Sequence, residues 1–177
     1  MAINNLSGTF ENFDDTLRKW FHGNWTASNT SSITPQFHSP SGIDSEQVGS
    51  SFYKSGVAWF DNEQEDEIVF NVRNTVIDPE FTSSTSVVAY VTDVYIDIQA
   101  RDSDLAWKFA NEIDNIILSN FPDSSTRINK TDGTASAIAT FDQPAIEWTN
   151  GSQPANDSQF SGIRLSGIIG CKWFRTQ

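Results

Sequence analysis

A strand pattern that runs directly into a helix pattern, over residues 87–121, constrains the fold more than any other part of the chain. Within the run 87–100, residues 93–100 alternate between polar and apolar, which is the period of a strand with one apolar face and one wet face. Asp102 or Ser103 can then cap a helix that stops before Pro122 and carries a one-sided apolar stripe. Such a helix needs a single apolar surface, so we expect it to lie on the apolar face of the preceding strand. The residues expected to meet there are Ile113 and Ile117 from the helix and Val94, Ile96 and Ile98 from the strand.

A first helix and an edge strand are predicted upstream. Apolar residues recur at helical spacing over 9–22, and Gly23 can end that helix in a left-handed conformation. The segment 33–38 alternates apolar and polar residues around Pro35. Because proline has no N–H to donate to a neighbouring strand, we expect this segment at the edge of the sheet.

The remaining strands are predicted from short alternating runs. The runs 57–60 and 68–73 flank an acidic stretch and indicate a hairpin. Shorter strands are expected at 137–141 and 145–148. The final run, 163–174, is a long strand whose glycines suggest a bulge or bend.

The order of these elements predicts the fold class. The chain has no internal repeat and no linker long enough to separate two domains. We expect residues 1–177 to form a single α+β domain, with one mostly antiparallel sheet and two main helices packed on it. A chain of 177 residues with 13 Phe and 6 Trp carries enough apolar material for one core.

Charge and cysteine usage exclude several classes of protein. The net charge of −12 and the pI of about 4.3 oppose a surface that neutralises nucleic-acid phosphates or anionic lipid. The single cysteine, Cys171, allows neither an intrachain disulfide nor a multi-cysteine zinc site. The first residues lack the pattern of a signal peptide, and no window approaches the ~18 apolar residues of a membrane span. We therefore expect no direct grip on DNA and no membrane insertion.

No set of residues in the sequence has the spacing of a catalytic or metal site. His22 and His38, the two histidines, do not form a paired-ligand motif. Asp93 and Asp97 share a strand face, but that face is the wet one, which would not separate two carboxyl pKa values. Cys171 alternates with the apolar set and is expected in the core. We predict a protein without catalytic residues, metal or cofactor.

The candidate contact residues are acidic or aromatic. Trp25, in a loop after the first helix, and Trp107, beside the stripe of the second, are placed to contact a partner. The acidic stretch lacks the central glycine and the ligand spacing of a calcium loop. We expect it to be the solvated tip of the predicted hairpin. Its carboxylates are Asp61, Glu63, Glu65, Asp66 and Glu67.

The passage from Asp93 to Ile113, strand into helix, resembles the tail-terminator and tail-completion proteins of long-tailed viruses, as does the order of the other elements. The resemblance implies a virion structural protein at the head-tail junction, in the tail or neck, which is assembled in the host cytoplasm. It implies a homo-oligomeric ring, usually of six subunits, that caps the tail tube and joins it to the connector. DNA would pass through this ring without specific binding, and the acidic tip is expected to face either that channel or the outer solvent.

Other functions stay open at this point. The chain is longer than many such proteins, and its extra length lies in 24–55 and 123–135, so head completion, tail completion and a tube or baseplate role are alternatives. A carbohydrate- or protein-binding module that uses surface Trp and Asp is a second class. A small enzyme of unfamiliar type is a third, which we rank last because no nucleophile, base and orienting group occur together.

Overall fold

The computed structural model describes eight segments of the chain: residues 13–39, 42–43, 53–54, 57–58, 66–78, 87–119, 139–150 and 163–176. Two α-helices, α1 (Phe13–Gly23) and α2 (Ser103–Ser119), and a 3₁₀ helix, Ala27–Thr30, lie within them. The strands are β1 (Gln36–Ser39), β2 (Gly42–Ile43), β3 (Tyr53–Lys54), β4 (Val57–Ala58), β5 (Glu67–Ile77), β6 (Val87–Ala100), β7 (Ala139–Phe141), β8 (Thr149–Asn150) and β9 (Ile163–Thr176).

Seven of these strands form one mixed sheet. Its order is β2-β1-β5-β6-β9-β7, and β8 pairs with β9 on the same side as β7. The pair β1 and β5 is parallel, whereas the other pairs in the sheet are antiparallel. With its two helices the protein has an α+β fold, as the sequence predicted.

The centre of the sheet is the pairing of its two longest strands. β6 and β9 each have 14 residues and pair without a register shift from Val87 opposite Thr176 to Ala100 opposite Ile163. The alternation in the sequence therefore predicted both strands correctly. The expected bulge in the last strand is absent from this ladder, and the register shift lies instead in β5, between Arg73 and Val76.

The core lies on one face of the sheet, beneath both helices. Phe21 of α1 stacks on Phe70 of β5 at a centroid distance of 4.9 Å. From α2, Ile113 and Ile117 are fully buried in the cluster that contains the β6 side chains Val94, Ile96 and Ile98. The predicted stripe and the predicted strand face thus belong to the same core.

The ends of the two helices are fixed by different groups. At the start of α2, Asp102 Oδ1 accepts a hydrogen bond from Leu105 N at 2.8 Å, which is one of the two predicted caps. Gly23 is not in the left-handed region, so the predicted glycine cap of α1 is wrong. Instead Asn24 Nδ2 donates to Trp20 O at 2.8 Å and satisfies a carbonyl at the helix end.

Three predictions about strand pairing were wrong. β1 is not at the sheet edge, because it lies between β2 and β5, and Pro35 precedes it. The expected hairpin is not formed: β4 pairs with β3 in a separate sheet, and β5 pairs with β1 and β6. The short strand expected at 145–148 lies at Thr149–Asn150. Strand partners are set by contacts distant in sequence, which local alternation does not report.

Neither helix in the described part of the chain, with 11 and 17 residues, has the length and apolar character needed to cross a bilayer.

Candidate functional site

The sheet face that points away from the helices, here called the back face, carries most of the polar residues of the sheet. Along β6 it presents Asp93, Tyr95, Asp97 and Gln99, and cross-strand partners add Arg73 and Ser166, among others. One end of this face is buried. There Arg164 Nε donates a hydrogen bond to Gln99 Oε1 at 2.8 Å.

A cleft of about 670 Å³ lies on the back face, beside β9. Its floor comes from β5, β6 and β9, and one wall comes from the residues between β7 and β8 and from β8 itself. Charged, hydroxyl, amide and apolar groups all reach it. The lining residues are Arg73, Tyr95, Asp97, Gln143, Glu147, Thr149, Ser166, Gly167 and Ile168.

Two contacts organise the floor of the cleft. The guanidinium carbon of Arg73 lies 4.9 Å from the ring centroid of Tyr95, within the range of a cation–π interaction. Ser166 Oγ donates a hydrogen bond to Asp97 Oδ1 at 2.5 Å. Burial raises the pKa of the Asp97 carboxyl, and the hydrogen bond from Ser166 and the charge of Arg73 oppose this rise. The cleft therefore holds one guanidinium and one carboxylate that are already positioned by neighbours.

The wall of the cleft is a segment here called the strap, residues 142–148. Asp114 of α2 holds it at two points: Ile146 N donates to Oδ1 at 3.0 Å and Trp148 Nε1 donates to Oδ2 at 3.1 Å. Gly167 allows this close approach, because a Cβ at that position would overlap Cγ2 of Ile146. Burial raises the pKa of the Asp114 carboxyl, and the hydrogen bonds from Ile146 and Trp148 oppose this rise.

Of the predicted acidic tip, Asp61, Glu63 and Glu65 lie outside the described residues. Asp66 is not a free tip residue: its Oδ2 accepts a hydrogen bond from Arg101 Nε at 2.9 Å within an ion pair. Glu67 is 0% exposed and begins β5 on the buried end of the back face. The expectation that Asp66 and Glu67 extend into solvent is therefore wrong, because the strand begins inside the acidic run.

The two tryptophans predicted to contact a partner differ in exposure. Trp25 is half-buried and packs edge-to-face on Phe37 and Phe109, with centroids 5.3 Å and 5.6 Å away, so it bridges β1 and α2. It therefore has a structural role. Trp107 is 44% exposed on the outer side of α2, away from the sheet. Among the described residues, Trp107 remains the tryptophan best placed to contact another molecule.

Exposed apolar residues occur on both sides of the fold. Leu118, which is 57% exposed, lies three helical turns beyond Trp107 on the same side of α2. On the back face Ile168 is 49% exposed and Val76 is 57% exposed, with Val91 opposite Val76. Because the helices cover the other face of the sheet, these two apolar surfaces point in opposite directions.

The chemical groups that catalysis would use are dispersed. Within the segments that the structure describes, no three residues among His, Cys, Asp and Glu are grouped so that they could hold a metal. Cys171 is buried in the core, as predicted, and burial together with the Asp142 carboxylate raises the pKa of its thiol. His22 is exposed and stacks on Phe37 at 4.9 Å. Asp93 and Asp97 each accept a hydrogen bond, from Asn74 and Ser166 respectively.

The comparisons with known proteins leave the family undefined. No protein-family model matches the sequence. A search of curated proteins likewise gives no match.

The sequence did not predict the cleft. Its lining residues come from β5, β6, the strap and β9, which are far apart along the chain. The available signal was the set of polar residues that alternate along two adjacent long strands. That signal indicates a wet face and does not show which part of the face is concave.

Proposed function

We propose that the chain is a virion structural protein of a long-tailed virus, a tail-terminator-like ring subunit at the head-tail junction. The resemblance of the sequence in element order, and over the passage from Asp93 to Ile113, supports this proposal. In this proposal the ring caps the tail tube and contacts the connector, and DNA passes through without specific binding.

The observation that carries the proposal is that exposed apolar side chains occur on two opposite sides of the fold. One is the outer side of α2, with Trp107 and Leu118, and the other is the back face, with Val76, Val91 and Ile168. When a protein associates through two different surfaces, each copy joins head-to-tail to the next, and the product is a closed ring or an open filament. Exposed apolar side chains on two different sides therefore suit a head-to-tail assembly, of which a closed ring is one form.

The acidic composition is compatible with the same role. A net charge of −12 repels the phosphates of DNA and limits non-specific binding in a channel. The part of the acidic run that can still line a channel is Asp61, Glu63 and Glu65. Their orientation toward the lumen remains a prediction.

The test is the mass of the assembled particle. Native mass spectrometry of the purified protein, alone and with the tail-tube protein of the same virus, should give a closed ring, with six subunits as the expected number. Leu118→Asp should shift the population toward monomer, because it places a charge on one association surface. Thr34→Asp adds the same charge at an exposed loop position that supplies none of the exposed apolar side chains, and it should disturb the ring less.

A protein that stays monomeric at high concentration, with the tail-tube protein present, would contradict the ring. Equal loss of assembly in the Leu118 and Thr34 variants would mean that added charge, and not the α2 surface, controls association.

A further inference from the structure

We infer that the back-face cleft is the receptor for the Trp107 side chain of a second copy of this chain. The inference rests on the proposed ring and adds to it a specific contact. It follows from the chemistry of the cleft, from the position of Trp107, and from the charges beside each.

The cleft favours a planar aromatic group that carries an N–H. Arg73 lies on the Tyr95 ring, and a guanidinium stacks on aromatic rings through its flat faces. Asp97 and Glu147 supply carboxylate oxygens that can accept a hydrogen bond, and Ile168 supplies apolar surface. An indole uses all of these groups, because it combines a large apolar ring with a single N–H donor.

Other ligand classes fit the cleft less well. An anionic ligand would meet Arg73 but also two carboxylates, on a chain whose net charge is −12. A saccharide is commonly held against an uncovered aromatic ring, whereas Arg73 already lies over the ring of Tyr95. A cation would find Asp97 and Glu147 but would be repelled by Arg73.

The matching indole comes from another copy. Trp107 is 44% exposed, whereas Trp20 and Trp173 are buried in the core. α2 packs on the opposite side of the sheet from the cleft, so Trp107 cannot enter the cleft of its own subunit. A head-to-tail neighbour presents this side of α2 to the back face.

The charges beside Trp107 complement those of the cleft. Asp104 and Lys108 lie on adjacent turns of α2 and form an ion pair with an N–O distance of 2.6 Å. The side chain of Asp104 is largely exposed, and that of Lys108 is partly exposed. The cleft offers Arg73 and Glu147, so each charge on the helix has an opposite charge available across the contact.

Cross-linking tests the contact directly. The variants Asn111→Cys, at an exposed position one helical turn from Trp107, and Ile168→Cys are mixed in equal amounts and treated with a short bismaleimide, so that the Trp107 side chain is kept in both. Cys171 is buried, so it should stay unreactive in the native protein. A covalent dimer with one copy of each variant should form in the mixture, while each variant alone should give little product. Pairing Thr34→Cys, at an exposed position outside α2, with Ile168→Cys is the comparison and should give less product.

Affinity gives a second, independent measurement. Trp107→Ala and Arg73→Ala should each raise the dissociation constant for self-association roughly tenfold or more, as buried aromatic and arginine anchors do. The double variant should be little weaker than the worse single variant, because both changes remove the same contact. Circular dichroism melts of each variant establish that it is folded.

The outcomes separate this inference from the proposed function. A ring that forms normally with Trp107→Ala, or that cross-links Ile168→Cys to a different position, overturns the cleft contact and leaves the ring in place. Capture of the tail-tube protein by Ile168→Cys, without the Asn111→Cys copy, would assign the cleft to that partner instead. A protein that remains monomeric overturns both.

Discussion

Gly167→Ala should destabilise the protein, because the strap leaves no space for a methyl group on that side of β9. The new Cβ would overlap Cγ2 of Ile146 and lie 3.0 Å from Cε3 of Trp148. Both neighbours are held by Asp114, through the hydrogen bonds from Ile146 N and Trp148 Nε1. They cannot move away from β9 without disturbing their attachment to α2.

The expected magnitude follows from two opposing contributions. Overpacking of this kind costs about 1–3 kcal/mol. Replacing glycine by alanine also restricts the unfolded chain, which offsets about 0.4–1 kcal/mol. The midpoints of these two ranges give a net loss of about 1.3 kcal/mol, which for a chain of 177 residues is a fall in melting temperature of about 3–5 °C. Urea denaturation followed by tryptophan fluorescence measures the free energy directly.

Gly23→Ala is the matched control. A Cβ at Gly23 meets nothing within 4 Å, and its backbone is not left-handed, so alanine should stabilise the protein by about 0.4–1 kcal/mol. Ile146→Ala combined with Gly167→Ala should cost less than the sum of the two single changes, since removing Cγ2 makes room for the new methyl. Equal effects of Gly167→Ala and Gly23→Ala would refute the close contact between the strap and β9.

Three further predictions concern the core, a buried carboxylate and the cleft. Ile113→Ala should lower the free energy of unfolding by about 2–5 kcal/mol, because Ile113 is fully buried, and an unchanged denaturation midpoint would show that the helix face is misassigned. Glu112→Ala should lower the free energy of unfolding by about 1–3 kcal/mol, because Glu112 accepts hydrogen bonds from Thr26 N at 3.0 Å and from Asn29 Nδ2 at 2.7 Å. As a control, Asn111→Ala at the exposed neighbouring position should have little effect. The pKa of Asp97 is raised in the folded state, so the folded protein holds this proton more tightly than the unfolded chain does. The stability that Asp97 contributes is therefore fully present below the ordinary Asp pKa of about 3.9 and is lost as the pH rises through the folded-state pKa. Unfolding measured from pH ~4 to ~7 should therefore show a smaller fall in stability for Asp97→Asn than for the wild type, and parallel curves would contradict the shift.

Long amphipathic segments were predictable because the residues of each one show which of its sides is buried. β6 alternates from Asp93 to its end, and the stripe of α2 is wide enough to define the side that is buried. An apolar stripe of this kind must be buried against another apolar surface, and the apolar face of β6 supplies one, so the layer arrangement could be predicted from these two elements. The fold class could therefore be predicted from residues 87–119 with little help from the rest of the chain.

Short strands and polar residues were less predictable, because their surroundings decide their role. β4 has two residues and pairs with β3, while β5 takes a parallel partner, β1, that adjacent sequence does not indicate. Glu67 has the same charge as the carboxylates before it, yet it is buried in the sheet. The run of acidic residues therefore predicted a solvated stretch that extends through Glu67, whereas the buried strand already begins at that residue.

Nor could the candidate site be anticipated from any local pattern. Tyr95 and Asp97 belong to a strand face that was correctly predicted to be polar, but Gln143 and Glu147 reach the cleft only because the strap folds beside β9. That placement depends on Asp114 and on the missing side chain of Gly167. These residues have no motif spacing in the sequence.

β6 pairs with one side of β9, and the short strands β7 and β8 pair with the other. That second side affects how other molecules can associate with the sheet. β7 has three residues and β8 has two, and between them the strap, with Pro144 in it, leaves the ladder. Among the described residues, this side offers an incoming strand no continuous row of N–H and C=O groups, and proline has no N–H to donate. The described part of this edge is therefore a poor template for the addition of strands, the route by which exposed sheets grow into amyloid-like aggregates. Copies of the chain that meet at this edge must recognise one another through side-chain contacts. Such contacts select a partner by its sequence, whereas backbone pairing at a bare sheet edge does not.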